Sequence, residues 1–447
     1  MPQSHARVSV IGGGIAGTEA ALQLADRGVD VELLEMRPAV RGPAHHTDLL
    51  AELVCSNSLK SDDPVTAAGA LKRELAAYGS RVLHAARQHS VAAGGALAVD
   101  RIAFSTELTR MVESHPNITL TRREVRELPA GWVIIATGPL TSSTFEPVLT
   151  EIVGETRLAF FDAAAPIVDA RTLDRSVIFP ASRYDKGEGS DYLNAPLNRG
   201  EYERFLDALV SARRVISKDF ERRELFAACQ PLEEVARTGR DALRFGALKP
   251  VGLVDPRTGE RPWAVVQLRA ENRAATAYNL VGFQTNLAWP EQARVFRMIP
   301  GLQDAEFFRY GVMHRNTFVD APRVLEPSFA VRGIQTVSIA GQLCGTEGYL
   351  EAAATGLLAG INVYAAMNRL DVFVPPPESV LGALVAYATD PDTTPYQPMH
   401  VNYGIVPPLA PPVRRKRERY EAYSTRGIAA AHDARRARLD LFGAGEG

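Results

Sequence analysis

The chain of 447 residues is long enough for two or three domains with a well-buried core, and its 46% hydrophobic and 23% charged residues are ordinary for a soluble globular protein. A formal net charge of −2 excludes wholesale electrostatic capture by nucleic acid, so a polyanionic partner would need a local basic surface. The three cysteines, Cys55, Cys229 and Cys344, are too few and too scattered for a disulfide framework or a close-paired zinc site, which points to a reduced cytoplasmic compartment.

Residues 1–7 lack signal-peptide architecture, because a strand and a glycine loop follow at once. No apolar run approaches the ~20 residues that a bilayer span requires, so no membrane association is expected. Val8–Ile11 reads as a short buried strand, residues 12–17 as its turn, and residues 15–27 as a helix with Ala16, Ala20 and Leu24 on one face and Gly28 as its stop. Residues 29–35 form a second predicted strand. Residues 38–64 are loop-rich, residues 67–86 regain helical spacing, and residues 132–136 form another buried strand that ends at Thr137-Gly138-Pro139. Between residues 173 and 322 the texture changes. A helix is predicted over 201–215, with strands on both sides of the turn Asp255-Pro256-Arg257-Thr258-Gly259 and further strands over 263–268 and 278–281. Residues 336–340 return as a parallel-type strand and 348–366 as a helix, and beyond Phe373 come Pro375-Pro376-Pro377 and a helical tail.

Gly12, Gly14 and Gly17 satisfy G-x-G-x-x-G with a strand before and a helix after. The first glycine permits the tight turn, the second admits a pyrophosphate to the backbone, and the third lets helix and strand pack closely. Free N–H groups and the positive helix end stabilise the phosphates. Glu35, followed by Met36 and Arg37, closes the second strand about 20 residues on, where an acid accepts ribose hydroxyls. Val133-Ile134-Ile135-Ala136-Thr137-Gly138 resembles the second motif of two-dinucleotide-binding-domain flavoproteins. Ser338-Ile339-Ala340-Gly341 resembles their carboxy-terminal strand, with Gln342 in place of the usual acid. Ala352, Gly356 and Gly360 form a small-residue stripe that lets the following helix lie close to its neighbours.

The predicted architecture is therefore α/β. A Rossmann-like FAD-binding domain is built from residues 1–172 and 323–372 and carries an inserted α+β domain over 173–322. A Pro-rich segment and basic helical tail cover 373–447.

Other motifs carry a closer resemblance. They are His45-His46-Thr47-Asp48, Ala51-Glu52-Leu53-Val54-Cys55-Ser56-Asn57-Ser58-Leu59, Phe179-Pro180-Ala181-Ser182-Arg183-Tyr184-Asp185-Lys186-Gly187-Glu188-Gly189 and Cys229-Gln230-Pro231-Leu232-Glu233. Arg244-Phe245-Gly246, Lys249-Pro250-Val251-Gly252-Leu253, Tyr278-Asn279-Leu280-Val281-Gly282-Phe283-Gln284-Thr285 and Arg309-Tyr310-Gly311-Val312-Met313-His314-Arg315-Asn316-Thr317 belong with them. This set resembles the folate- and FAD-dependent tRNA uracil-C5 methyltransferases, relatives of the glucose-inhibited-division A type flavoproteins. Gly341-Gln342-Leu343-Cys344-Gly345-Thr346-Glu347-Gly348-Tyr349 is less selective, being shared with the related wobble-uridine modification flavoproteins.

The resemblance implies transfer of a one-carbon unit from 5,10-methylenetetrahydrofolate to C5 of the T-loop uridine of tRNA. Reduced FAD supplies the electrons and NADH or NADPH replenishes them. It singles out Cys229 as the nucleophile at uracil C6 and Cys55 as its acid/base partner, with the reversed roles as the rival assignment. Candidate cofactor residues are Gly12, Gly13, Gly14, Ile15, Ala16, Gly17, Glu35, Met36, Arg37, Thr137, Gly138, Gly341, Gln342, Thr346, Glu347 and Gly348. No metal site is expected, because the histidines His45, His46 and His314 have no ligand spacing.

Two basic stretches are candidates for tRNA phosphates. One is the tail over residues 414–438. The other is on the inserted segment, with Arg213, Arg214, Lys218, Arg222, Arg223, Arg237, Arg240 and Arg244. No obligatory protein partner is expected. The alternatives are a wobble-uridine modifier, an FAD-dependent oxidoreductase without an RNA substrate, and a flavin-binding RNA scaffold.

Overall fold

The structure, a computed structural model, describes residues 7–42, 44–154, 157–185, 190–215 and 230–443. Val8–Ile11 is buried at every position. It lies inside a six-stranded sheet ordered Ala330–Val331, Ile334–Ile339, Trp132–Ile135, Val8–Ile11, Val31–Glu35 and Ile118–Arg122. All pairings are parallel except the hairpin of Ala330–Val331 on Ile334–Ile339. A parallel sheet needs cover on its faces, which is why its two central strands, Trp132–Ile135 and Val8–Ile11, are largely apolar. The helix Ile15–Ala25 is buried along all 11 residues and packs against the helix Tyr349–Met367. Gly356 permits that approach: a Cβ there would stand 2.2 Å from the Ala16 carbonyl oxygen. Tyr349–Met367 is long and apolar enough to cross a membrane by length and composition, yet 83% of its apolar window is buried inside the fold.

This unit departs from the sequence expectation in two places. Residues 67–86 form two helices, Ala67–Ala77 and Arg81–Gln88, because Gly79 turns the chain at φ +79° and the Ser80 hydroxyl accepts the Leu83 N–H to start the second. The outer strand Ile118–Arg122 was not predicted at all, since only Ile118 in it is buried and no apolar run marks it.

The second unit is an antiparallel six-stranded sheet ordered Phe179–Pro180, Tyr192–Leu197, Ala264–Ala270, Ala277–Leu280, Ile167–Asp169 and Phe307–Arg309. It has its own core, in which Val168, Leu193, Phe205, Val266, Leu268, Phe283 and Phe296 meet. The sheet takes in Ile167–Asp169, upstream of residue 173, and the ribbon of Arg157–Ala163 with Met313–Val319 joins the two units. The predicted helix over 201–215 is Arg199–Ser211, begun by a reciprocal cap between Asn198 and Glu201. The strands predicted on either side of residues 255–259 do not form, since residues 246–263 contain no strand; the strand predicted over 263–268 is Ala264–Ala270. The 22-residue helix Lys416–Ala437 lies against Ala67–Ala77.

Candidate cofactor and catalytic site

Two glycines of the loop have no room for a side chain. Gly12 sits at φ +102° with the Ala136 carbonyl oxygen 2.5 Å from where a Cβ would be, and a Cβ on Gly17 would stand 1.8 Å from the Gly12 carbonyl oxygen. Gly14 faces open space and begins the helix Ile15–Ala25 without any side-chain cap, so the helix end presents its N–H groups to an anion. Gly12, Gly14, Glu35, Met36, Arg37 and Thr137 line one cleft with His45, Arg123 and Leu140. Gly13, Ile15, Ala16 and Gly17 support it from behind. These features fit a dinucleotide diphosphate.

Glu35 is 4% exposed and its two oxygens accept from four donors: the N–H groups of Gly13 and Arg37, and Arg37 Nε and Nη2. That fills the acceptor capacity of a carboxylate, so a ribose hydroxyl can be accepted there only by displacing one of them. Burial acts to raise the Glu35 carboxyl, but hydrogen bonds and charge from Arg37, with the Gly13 N–H, outweigh it and hold the group below its ordinary value. Arg37 also reaches Glu52 at 3.1 Å. Burial, with the Arg37 charge, pushes His45 down to about 4, so it is neutral near pH 7.

Gly341 packs on Ala16, bringing the carboxy-terminal motif onto the glycine loop. Its N–H donates to Thr355 Oγ1 at 2.9 Å and its carbonyl accepts from Thr346 Oγ1 at 3.0 Å, while Gln342 Nε2 donates to Glu347 Oε2 at 2.8 Å. Gln342, Glu347 and Gly348 line a second cavity, of about 300 Å³, together with Cys55, Lys60, Gln284, Tyr349, Glu351 and His400. Leu140 borders both cavities, so the dinucleotide cleft and the Cys55 cavity are neighbours. Gly138, at φ +69°, lies at the strand end just before them.

Cys55 is half-buried on a loop held from several directions. Its N–H donates to the Tyr349 hydroxyl at 2.8 Å, and Arg309 Nη2 donates to the carbonyls of Val54 and Cys55 at 2.8 and 3.4 Å. Arg101 holds the Leu53 carbonyl and pairs with Glu271 at 2.7 Å. Arg269 donates to Ser56 Oγ at 2.7 Å and Asn57 Oδ1 at 2.8 Å. Burial, with the Arg101 charge beside it, lowers the Arg309 guanidinium, and burial raises the Tyr349 phenol. Sequence reading named none of these supports as site residues. Arg309 and Tyr349 stood inside the quoted motifs, whereas Arg101, Arg269 and Glu271 carried no signal.

Cys229 lies outside the described residues, with Lys218, Arg222 and Arg223. The chain resumes at Gln230, and the Leu232 N–H donates at 2.7 Å to the carbonyl of Gln284, which lines the Cys55 cavity. Cys344 is fully buried, donates to the Ile339 carbonyl at 3.2 Å, and has its thiol pushed up by burial. Among the described residues no His, Cys, Asp and Glu cluster could hold a metal ion. Much of the basic surface is internally paired. In the tail Arg415 meets Glu418, Arg417 meets Glu421 and Arg438 meets Asp440; on the inserted unit Arg214 meets Glu234, Arg240 meets Asp207 and Arg244 meets Asp241.

The family model described as glucose inhibited division protein A matches residues 7–371. The chain is 56% identical over 413 residues to the methylenetetrahydrofolate–tRNA-(uracil-5-)-methyltransferase TrmFO of Geobacter sulfurreducens, covering 92% of this chain and 95% of that protein. It is 53% identical over 423 residues to the protein of the same name from Moorella thermoacetica, covering 94% and 97%. Among solved structures, Aquifex aeolicus GidA in its form I crystal aligns with a TM-score of 0.70 at 17% identity, over 98% of this chain and 77% of that one. That likeness shows the α/β flavoprotein fold.

Proposed function

The chain belongs to the glucose inhibited division protein A family, and from that premise we propose that it is a folate- and FAD-dependent tRNA (uracil-5-)-methyltransferase. It transfers the methylene of 5,10-methylenetetrahydrofolate to C5 of the T-loop uridine of tRNA and reduces it to methyl. The observation that carries this reading is the near full-length identity to proteins of that named activity. A thiol-bearing cavity beside a dinucleotide cleft supports it.

Uracil C5 is a poor nucleophile until a group adds at C6. A thiolate adding there forms a C6–S bond and makes C5 an enolate carbon that bonds to the methylene. Loss of the C5 proton to a base, with cleavage of the methylene's bond to its carrier nitrogen, leaves an exocyclic methylene; a hydride equivalent adds to it, and the resulting enolate expels the thiolate from C6 to give the 5-methyl product. We assign the attack to Cys229 and the acid/base work to Cys55, with the roles reversed as the rival. The loop of Gly12, Gly13, Gly14, Ile15, Ala16 and Gly17, with Thr137 and Gly138, would hold the FAD diphosphate, and Glu35, Met36 and Arg37 its adenosine end. Gly341, Gln342, Thr346, Glu347 and Gly348 would form the floor near the flavin. Bound FAD supplies the reducing electrons, which NADH or NADPH restores. A cytoplasmic location without a membrane or obligatory protein partner suits a tRNA substrate.

The test is mass spectrometry of T-loop RNA incubated with the FAD-loaded protein, carbon-13-labelled methylenetetrahydrofolate and NADPH. We expect labelled 5-methyluridine, abolished in Cys55→Ala and in Cys229→Ala. Unlabelled RNA from folded, flavin-bearing protein would sink the reading. The wobble-uridine alternative has less behind it, since the chain is 56% identical to the Geobacter methyltransferase and 17% identical to the form I GidA structure.

A further inference from the structure

A ladder of aromatic rings runs from the core of the antiparallel unit to the surface beside the Cys55 loop. Phe296 meets Phe307 at 6.4 Å, Phe307 stacks on Tyr310 at 5.0 Å and 20°, and Tyr310 stacks on Trp289 at 6.0 Å and 18°. The inner end is fully buried, whereas Trp289 is 58% exposed and Phe308 59%. Between Phe308 and Tyr310 stands Arg309, whose guanidinium holds the carbonyls of Val54 and Cys55. At the other edge the Ala288 N–H donates to the Arg213 carbonyl at 2.9 Å, which holds the backbone of the exposed Arg213 beside the residue that precedes Trp289. The nearby carboxylate of Glu291 is engaged by Arg294 and also faces Arg213.

We propose that Trp289, at the exposed end of this ladder and with Arg213 nearby, forms a stacking platform for a nucleobase of the tRNA substrate, displayed when the T-loop is opened beside the Cys55 loop. This rests on the tRNA-methyltransferase reading above. Unstacked bases are recognised by aromatic faces, and phosphates by guanidinium groups. An enzyme that works on a base must take it out of its stack, and a rigid exposed ring compensates the neighbour that loses its partner. The ladder supplies that rigidity: Trp289 is backed by Tyr310, and Tyr310 by Phe307. The Arg309 link to the Cys55 loop and the arginine nearby favour RNA over a protein partner.

The experiment measures affinity of the FAD-loaded protein for a fluorescently labelled T-arm RNA by anisotropy. It also records quenching of intrinsic tryptophan fluorescence by unlabelled RNA. Trp289→Ala should weaken binding roughly 5- to 100-fold, the range expected for loss of one base–aromatic stack. Trp289→Phe, which keeps a ring, should bind within about threefold of wild type but lose most of the quenching. Flavin content should be unchanged in both. If Trp289→Ala binds like wild type and the quenching survives in Trp289→Phe, the platform does not exist. If the alanine variant melts early, the quenching in the phenylalanine variant decides alone. Intact RNA binding with an altered oligomeric state by light scattering would make this face a protein contact and overturn the proposal. Wild-type protein that neither binds nor methylates the RNA would instead remove the substrate reading itself.

Discussion

Arg37 is among the largest fully buried side chains of the protein, and it lies between the carboxylates of Glu35 and Glu52 at 2.9 and 3.1 Å. Deleting it strands two buried negative charges. Breaking one partner out of a buried ion pair costs about 3–5 kcal/mol, so Arg37→Ala should lose that much in urea unfolding. Arg37→Lys should recover little, because one ammonium cannot reproduce the fork on Glu35. The pair also has a pH signature. The folded Glu35 carboxyl is depressed, so its stabilisation is present above the ordinary value of about 4.5 and is lost as pH falls through the lower folded value. The fork itself was hidden in the sequence. Spacing after the glycine loop marks Glu35 as an acid at a strand end, but not that Arg37, two residues on, folds back and occupies it. Composition likewise cannot separate Cys55, which lines a cavity, from Cys344, which packs in the core.

Buried carboxylates also wire the helices of the flavoprotein unit to one another. Glu19, on the helix behind the glycine loop, accepts from Ser80 Oγ, from the N–H groups of Arg81 and Val82, and from Gln23, and so caps the helix Arg81–Gln88. Glu74, on Ala67–Ala77, accepts from the N–H groups of Val380 and Leu381, both at 2.9 Å, at the start of Val380–Thr389. Burial pushes the Glu74 carboxyl up to about 7 from an ordinary 4.5, even though those N–H groups and Arg73 act to lower it. The folded state then holds the proton more tightly than the unfolded one. The resulting stability is fully present below about pH 4.5 and is lost as pH rises through about 7, an effect of about 3 kcal/mol. Unfolding of wild type and Glu74→Gln should show the wild-type advantage shrinking by that order across the window. A constant difference would mean that Glu74 ionises normally. These helices were only partly legible: apolar periodicity located residues 67–86, but the break depends on Gly79 and on a cap from distant Glu19. Where strands are largely apolar and buried, as in Val8–Ile11 and Trp132–Ile135, the pattern sufficed; the half-exposed Ile118–Arg122 left none.

The whole molecule is organised so that one sheet builds the cofactor cleft and the other holds the thiol loop against it. Arg269, 6% exposed on Ala264–Ala270, reaches across to Ser56 and Asn57, and Asn57 Nδ2 in turn donates to the carbonyls of Val99 and Ala270, each at 2.9 Å. The Arg101–Glu271 pair spans the same boundary. None of this was readable from spacing, because the partners stand far apart in sequence and meet only when both sheets have formed. The inserted unit should therefore position Cys55 as well as receive substrate. Arg269→Ala removes two hydrogen bonds from the loop but touches nothing in the dinucleotide cleft. A displacement of about 1 Å at a reacting group costs on the order of 100-fold in rate. Single-turnover methylation by Arg269→Ala should thus fall by about that factor, while flavin absorbance per protein and affinity for T-arm RNA stay at wild-type levels. Loss of flavin together with activity would show instead that Arg269 supports the fold as a whole. A rate unchanged within about threefold would mean that Tyr349, Arg309 and Arg101 keep Cys55 in place without Arg269.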